Sequence, residues 1–293
     1  MDEQKTTGTL YIVATPIGNS RDMSERGREI LSTADIIAAE DTRRSVVLLN
    51  KLGIRGNSLS ANHKFNEYGK AKWFIEQLAS GKDIAVITDA GTPCISDPGN
   101  ELIKAAVEEG IRVVGVPGCC AAVNALAISG FDLSSFLFYG FFPRENADRR
   151  KLLEKMRGAD TRTFAFYESP KRIMELVDFL IESEAKLRLC LCNDMTKLHE
   201  MSFRGTPAQV KEQLLAKGNY DKGEYAIVAE VEPEYQFTKV EHTVSAEAML
   251  VDAMISGGVS GRDAIAAVLA DPNNSYSKNE LKAAALNLKR MFG

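Results

Sequence analysis

The sequence predicts an α/β protein with two α/β domains, the first on a mostly parallel sheet and the second on a mixed sheet, with a cleft between them and a small helical appendage behind. Three observations predict it. Apolar, β-rich runs alternate with amphipathic segments through the first half of the chain. The strands of that half are apolar on both faces, as strands covered by helices on either side must be. Past about residue 130, strands outnumber helices and some follow each other closely, which favours a mixed sheet. At 293 residues the chain can bury a generous core. The expected boundaries are 1–118, 119–235 and 240–293.

In order, TLYIVAT reads as a strand, SERGREILSTA as a helix, DIIAAED as a strand and TRRSVVLLNKLG as a helix, followed by a short strand near Ser58 to Ala61. The beat continues with a helix EYGKAKWFIEQLASG, a strand DIAVIT, a helix DPGNELIKAAVEEG, a strand IRVVGV and a helix CCAAVNALAISG. Gly53, Gly81 and Gly110 stand where helices should end, and Asp97 with Pro98 reads as an N-cap and first-turn proline. The second domain runs through the strand FLFYGFF, a basic helix ENADRRKLLEKMRG, the strand TRTFAFY, a helix SPKRIMELVDFLIES and the strand KLRLCLC. A strand around LHEMSFRG, a helix TPAQVKEQLLAKG and the strand EYAIVAEVE complete it. After the polar link EPEYQFTKVEHT, three helical patterns suggest a small bundle or a helix-turn-helix. Its charges balance, whereas a DNA-reading module would be more basic.

Composition excludes several classes. With 45% hydrophobic and 26% charged residues and no low-complexity tract, the chain reads as folded. No run of about 18 apolar residues suggests a membrane span, and MDEQKTTGTLYIVATP does not read as a cleavable leader, so a cytoplasmic location is expected. The five cysteines include no CxxC pair and read as reduced packing thiols, Cys190 and Cys192 sharing one face of a strand. No GxGxxG follows a strand, and neither GxxxxGK[ST] nor HExxH occurs. The three histidines, His63, His199 and His242, are far apart in sequence, and no metal is expected. A formal net charge of −4 does not advertise a nucleic-acid partner, so a local patch would have to serve.

In an open α/β sheet, ligands bind beyond the carboxyl ends of the strands, and three unusual loops fall there. They are TPIGN (15–19), EDTR (40–43) and DAGTPCISDPG (89–99). Gly18, Gly91 and Gly99 let a ligand approach the main chain, Pro16, Pro93 and Pro98 stiffen the remainder, and Asp89 adds an acceptor. One such loop alone would be a turn; three on one edge point to a site for a polar, partly cationic or ribose-bearing ligand.

TPIGN, AAEDTR, TDAGTPxxSDPG, PGCCAA, FYESPKR and KGEYAIV, in this order from about Gly8 to Glu232, resemble the ribosomal RNA small-subunit methyltransferase I family. That family lies within the S-adenosylmethionine-dependent tetrapyrrole methylases. Porphyrin-modifying members usually open with a GxGPGD-type loop where TPIGN stands here, which favours RNA as substrate. The resemblance implies a homodimeric two-domain methyltransferase that binds S-adenosylmethionine and methylates the 2′-oxygen of a cytidine ribose in the decoding region of 16S ribosomal RNA, within the small ribosomal subunit. Carried over by motif, the cofactor wall would be Pro16, Asp89, Ala90, Gly91, Ile95, Cys120, Ala121, Tyr167, Glu168, Thr196, Ala226 and Ile227. The family's ELTK stands here as Asp194 to Lys197, and its HxHNE as His63 to Glu67.

For methyl transfer to a hydroxyl, positioning and exclusion of water come first, and a base helps because the hydroxyl is a weak acid. Glu40 and Asp41 could bind the acceptor ribose or take its proton, or pair with Arg43 or Arg44 as a loop clamp. Lys197 could act as a base if desolvated, or contact phosphate; His63 could be a catalyst or a structural hydrogen-bonder. From Pro143 to Arg172, nine basic residues face five acidic ones, and Arg144, Arg149, Arg150 and Arg172, with Arg43, are the expected RNA contacts. The alternatives are a tetrapyrrole-type small-molecule methylase and a non-catalytic adaptor that binds RNA through the helical tail.

Overall fold

Side-chain alternation along four-residue strands organises the first sheet. The computed structural model describes residues 7–62, 67–236, 244–271, 274 and 276–292, and the chain separates into two compact units, Met1–Gln236 and Phe237–Gly293. The first unit opens with β1 (Leu10–Val13), α1 (Glu25–Thr33), β2 (Ile36–Ala39), α2 (Thr42–Leu52) and β3 (Ser58–Ala61). Then come α3 (Glu67–Ala79), β4 (Ile84–Ile87), α4 (Asn100–Glu108) and β5 (Val113–Val116). The five strands form an all-parallel sheet in the order β3-β2-β4-β1-β5. In β2, Ile37 and Ala39 face Leu31, Leu49 and Leu52 of α1 and α2, while Ile36 and Ala38 face Phe74, Leu78 and Leu102 of α3 and α4. Each fully buried Leu- or Phe-sized side chain contributes about 1.5–3 kcal/mol, so covering both faces fixes the strand.

Because all five strands run the same way, their carboxyl-end loops gather on one edge. Gly53, Gly81 and Gly110 take positive φ just past the ends of α2, α3 and α4, as expected. The cap expected at Asp97 does not form. Helix α4 starts at Asn100, preceded by Gly99 at φ 132° without a side-chain cap, because the loop carries Asp97 away from the helix end.

Helix α5 (Ala121–Ser129) leads into the second sheet: β6 (Phe136–Phe141), α6 (Asn146–Arg157), β7 (Thr163–Glu168), α7 (Ile173–Glu182), β8 (Leu187–Asn193), β9 (Met201–Gly205), α8 (Pro207–Lys217) and β10 (Tyr225–Val231). The order is β6-β7-β10-β8-β9; β6 and β7 are parallel and the other pairs antiparallel, a mixed sheet. One face packs on α6, α7 and α8 through Phe164, Phe166, Leu189, Leu191 and Ile227. The other face, carrying Ala165, Cys190, Cys192, Ala226 and Val228, packs on Ala125 and Leu126 of α5 and on Ile17 from the loop after β1. Cys190 and Cys192 are reduced, and their sulfurs lie 3.8 Å apart on that face.

The second unit is a three-helix bundle of α9 (Ala246–Gly257), α10 (Gly261–Ala270) and α11 (Lys278–Phe292). It has its own core of Leu250, Ala264, Val268, Leu281 and Ala284. Among the described residues, no helix is long and apolar enough to cross a membrane.

Candidate active site

The loops after β1 and β4 are tied by an antiparallel bridge. The Thr15 N–H donates to the Gly91 carbonyl at 2.8 Å, and the Gly91 N–H returns to the Thr15 carbonyl at 3.0 Å. The fully buried Thr15 hydroxyl donates to the Thr88 carbonyl at 3.1 Å. The staple fixes the strand-end loops before any ligand arrives.

Beside it a cleft of about 410 Å³ opens within the first unit. One wall is Glu40, Thr88 to Thr92 and Ile95 to Asp97; the other includes Cys120, Ala121, Phe141, Tyr167, Glu168, Met195 and Ala226. Three carboxylates converge. Glu40 accepts from the Thr88 hydroxyl (2.6 Å) and the Asp89 N–H (3.2 Å). Asp89 accepts from the Asp41 N–H (3.2 Å) and pairs with Arg44 (2.9 Å). Burial, then the neighbouring Glu40, pushes the Asp89 carboxyl above its usual range despite Arg44. Asp97 goes further, up to about 6, through burial and the charge of Glu40, against the opposing hydrogen bond of Thr88. Such a cluster is destabilised when empty and suits a cation.

On the second wall, burial pushes the Tyr167 phenol up to about 12, so it stays protonated; its oxygen accepts the Ala122 N–H at 3.1 Å. Glu168 is buried, its carboxyl raised by that burial although Ser169 N–H and Arg172 both bind it. The two walls also meet behind the cleft. The Asn19 N–H donates to the Thr196 hydroxyl at 3.1 Å, and a Cβ on Gly18 would lie 2.6 Å from Lys197 Cγ, so only glycine permits the approach.

Of the expected cofactor residues, Asp89, Ala90, Gly91, Ile95, Cys120, Ala121, Tyr167, Glu168 and Ala226 line the cleft, as does Glu40. Pro16 and Thr196 do not line it; Ile17 and Met195 beside them do. Ile227 is a correction: strand alternation turns its side chain into the opposite core while Ala226 faces the cleft side. Asp41 realises the loop-clamp alternative. It caps α2 through the Arg43 N–H (2.9 Å) and pairs with the Arg43 guanidinium (2.7 Å), which holds its carboxyl down at about 2, a poor base. Lys197 as a base is also corrected. Desolvation pulls its ammonium down, but Asp194 (2.8 Å) and Glu224 (2.7 Å) outweigh that and leave it raised and charged. His63 lies outside the described residues. Asp97, Phe141 and Met195 were missed, Asp97 because its loop position resembled a cap and Phe141 because an apolar run hid it.

The basic residues divide. Arg43, Arg144 and Arg150 are exposed, whereas Arg149 is 1% exposed, donating to the Pro143 carbonyl (2.9 Å) and pairing with Glu175. Arg149 is thus a structural residue, not an RNA contact. Arg172 is half-buried against Glu168. With Arg144 and Lys171 it lines a second, open cavity that shares Phe141 and Ser169 with the first.

Residues 9–211 match the family model of the Tetrapyrrole (Corrin/Porphyrin) Methylases. The chain is 43% identical over 229 residues to "Ribosomal RNA small subunit methyltransferase I" of Haemophilus influenzae, covering 78% of this chain and 80% of the relative. To the protein of that name from Halalkalibacterium halodurans it is 38% identical over 273 residues, 90% of each chain. The chain belongs to the ribosomal RNA small subunit methyltransferase I family. It is therefore a methyltransferase. Among solved structures, uroporphyrin-III-C-methyltransferase from Thermus thermophilus matches with a TM-score of 0.52 at 18% identity, covering 76% of this chain and 94% of that one. Diphthine synthase matches at 0.55 and 12%, covering 76% and 90%. These two share the fold of the family.

The cleft fits the family's cofactor, S-adenosylmethionine. Three carboxylates meet the demand of a sulfonium and an amino group, Ile17, Ile95, Met195 and Ala226 offer apolar surface, and the backbone at Gly91, Cys94 and Ser96 takes positive φ. Among the described residues, no His, Cys, Asp and Glu side chains group as a metal site.

The raised Asp97 carboxyl has a stability signature in the ligand-free protein. Its folded-state value is about 6 against an ordinary 3.8. Between those values the folded chain keeps a proton that the unfolded chain releases, so this group's contribution falls as pH rises through the window and stays low above it. Asp97→Asn should therefore melt higher than wild type at pH 8, with the gap closing near pH 4. Scanning calorimetry at both pH values checks this, and a pH-independent gap would refute it.

Proposed function

We propose that this protein uses S-adenosylmethionine to methylate the 2′-oxygen of a cytidine ribose in the decoding region of 16S ribosomal RNA, acting on the small ribosomal subunit in the cytoplasm. The observation that carries the choice of RNA is the basic cavity of Arg144, Lys171 and Arg172 opening directly beside the acidic cleft. Phosphates are held by such side chains, and they position a nucleic acid without reading its sequence. The nucleoside and the position come from the family resemblance.

Held by Glu40, Asp89 and Asp97 on one wall and by Met195 and Ala226 on the other, the cofactor would supply an electrophilic methyl group for the ribose hydroxyl, whose proton a residue of the chain would accept. Asp41 is committed to Arg43 and Lys197 already carries its proton. Glu40 and Asp97 face the cleft, and Asp97, at about 6, lies close to the range in which a carboxylate takes a proton efficiently at neutral pH. The staple of Thr15 and Gly91 holds that wall in place, so reacting groups meet in a fixed orientation.

Calorimetry tests the cofactor site. S-adenosylmethionine should bind wild type with roughly micromolar affinity. Gly91→Val should abolish binding with the fold intact by circular dichroism, because Gly91 sits at φ 88°, beside Ile17 and the Cys119 carbonyl. Wild type should then transfer labelled methyl to unmodified small subunits, recovered as a 2′-O-methylcytidine; transfer to a tetrapyrrole instead would select the small-molecule alternative.

Charge reversal separates surface from core. Arg150→Glu should weaken RNA binding and lower its salt slope by about one phosphate contact while leaving the melting temperature unchanged. Arg149→Glu should cost on the order of 3 kcal/mol of stability, read by urea denaturation, since it places an acid against Glu175 in a buried site. Unchanged RNA binding in Arg150→Glu would remove that helix face from the interface.

We also infer a homodimer, for which exposed Val123 and Ile128 on α5 and Phe136 and Leu137 on β6 supply apolar surface. Light scattering should give twice the chain mass, and Phe136→Glu with Leu137→Lys should reduce it to one.

A further inference from the structure

The edge strand β6 carries an irregularity that turns one aromatic ring toward the cleft. Its parallel pairing with β7 runs Phe136↔Thr163, Leu137↔Phe164 and Phe138↔Ala165, then resumes at Phe141↔Tyr167. Three steps on β6 match two on β7, so one residue is extra, a β-bulge. Gly140, at φ 70°, sits in it, and a Cβ there would stand 3.1 Å from Ser96 Oγ of the loop after β4. An unbulged strand would pair Phe141 with Glu168 and turn its ring to the other face. The bulge instead sets Phe141 opposite Tyr167, the two rings meeting edge-to-face at 5.8 Å.

The ring so placed is 57% exposed, while Phe142 beside it is 3% exposed in the core. Phe141 also borders both cavities, the acidic cleft on one side and the cavity of Arg144, Lys171 and Arg172 on the other. Leaving a large apolar ring in water costs burial energy that a core position would recover. Bulges beside active sites commonly re-aim a side chain for use.

We propose that Phe141 is the stacking platform for the acceptor nucleobase, with Arg144 and Lys171 gripping the adjoining phosphate so that the ribose between them faces the cleft. The inference rests on the RNA-methylating reading above and names the residue that receives the nucleotide. Single-stranded RNA is commonly read by bases splayed onto aromatic side chains, and enzymes acting on one nucleotide draw it out of its stack. A ring flanked by phosphate-binding cations on one side and the cofactor cleft on the other has the layout this requires.

The test uses Phe141→Leu, which keeps apolar bulk without a π face, and Phe141→Tyr, which restores one, with unmodified small ribosomal subunits as substrate. Base–aromatic stacking is worth roughly 5- to 150-fold in affinity at ordinary temperature. Phe141→Leu should raise KM for subunits by a factor in that range, with S-adenosylmethionine affinity within about twofold of wild type by calorimetry and an unchanged melting temperature. Phe141→Tyr should restore KM to within a few-fold. Wild-type KM in Phe141→Leu, or failure of Phe141→Tyr to restore it, would overturn stacking. Loss of cofactor binding in Phe141→Leu would make the ring a cofactor contact rather than a base platform and overturn it too. Absence of methyl transfer by wild type would instead refute the RNA-methylating reading, and this inference with it.

Discussion

The pair of hydrogen bonds between Thr15 and Gly91 is the constraint on which the site depends. Parallel strands deliver their carboxyl ends to one edge but leave the loops there unpaired. Here the loop after β1 borrows a short antiparallel pairing from the loop after β4, reinforced by the buried Thr15 hydroxyl on the Thr88 carbonyl. That pairing delivers Ile17 into the apolar face of the second sheet, among Ala125, Ala165 and Val228. The residue that shapes the first wall thus also packs the second, and the distance between the walls is set by core packing. Packed interiors do not deform continuously, so the cleft keeps its width without a ligand.

That rigidity lets the cleft hold charges that would otherwise relax. Burial raises the carboxyls of Asp89 and Asp97, and the neighbouring charge of Glu40 raises them further. A flexible loop would swing such groups into water. The chain instead holds Glu40 by the Thr88 hydroxyl and the Asp89 N–H, and Asp89 by Arg44 and the Asp41 N–H. Apart from that backbone N–H, Asp41 holds nothing in the cleft; its carboxylate caps α2 and so orients the turn from which Glu40 and Arg44 project. Its expected chemical role gave way to a geometric one, since an N-cap carboxylate saturated by an arginine binds its charge too well to accept a proton.

The strand-and-helix beat was legible because both faces of the parallel sheet are covered, which writes nearly continuous apolar runs such as IIAA and IAVI. The strand-end loops were legible through their glycines and prolines. The face of a residue on a fully buried strand was not. In YAIVAEV every residue is buried, so no alternation distinguishes Ala226, on the cleft side, from Ile227, in the opposite core. Arg149 misled for a related reason: a basic helix reads as a solvated face, yet the i, i+3, i+4 row of Arg149, Leu152 and Leu153 points inward and the arginine finds Glu175 and the Pro143 carbonyl. Asp97 was hidden because an aspartate before a proline fits a helix start equally well; only the positive φ of Cys94 and Ser96 turns the loop away from that use.

The charge layout follows from what two neighbouring ligands of opposite sign require. The chain as a whole carries −4, yet an acidic cleft and a basic cavity lie side by side and share only Phe141 and Ser169. Exposed charges closer than a Debye length of about 8 Å would largely cancel each other's fields. Arg172 shows the compromise: it faces the basic cavity but spends its guanidinium on buried Glu168, leaving Arg144 and Lys171 to the solvent. On the proposed reading, Glu40, Asp89 and Asp97 would face the positive charges of the cofactor while Arg144 and Lys171 would face phosphate, so each neighbouring ligand would meet charge of the opposite sign.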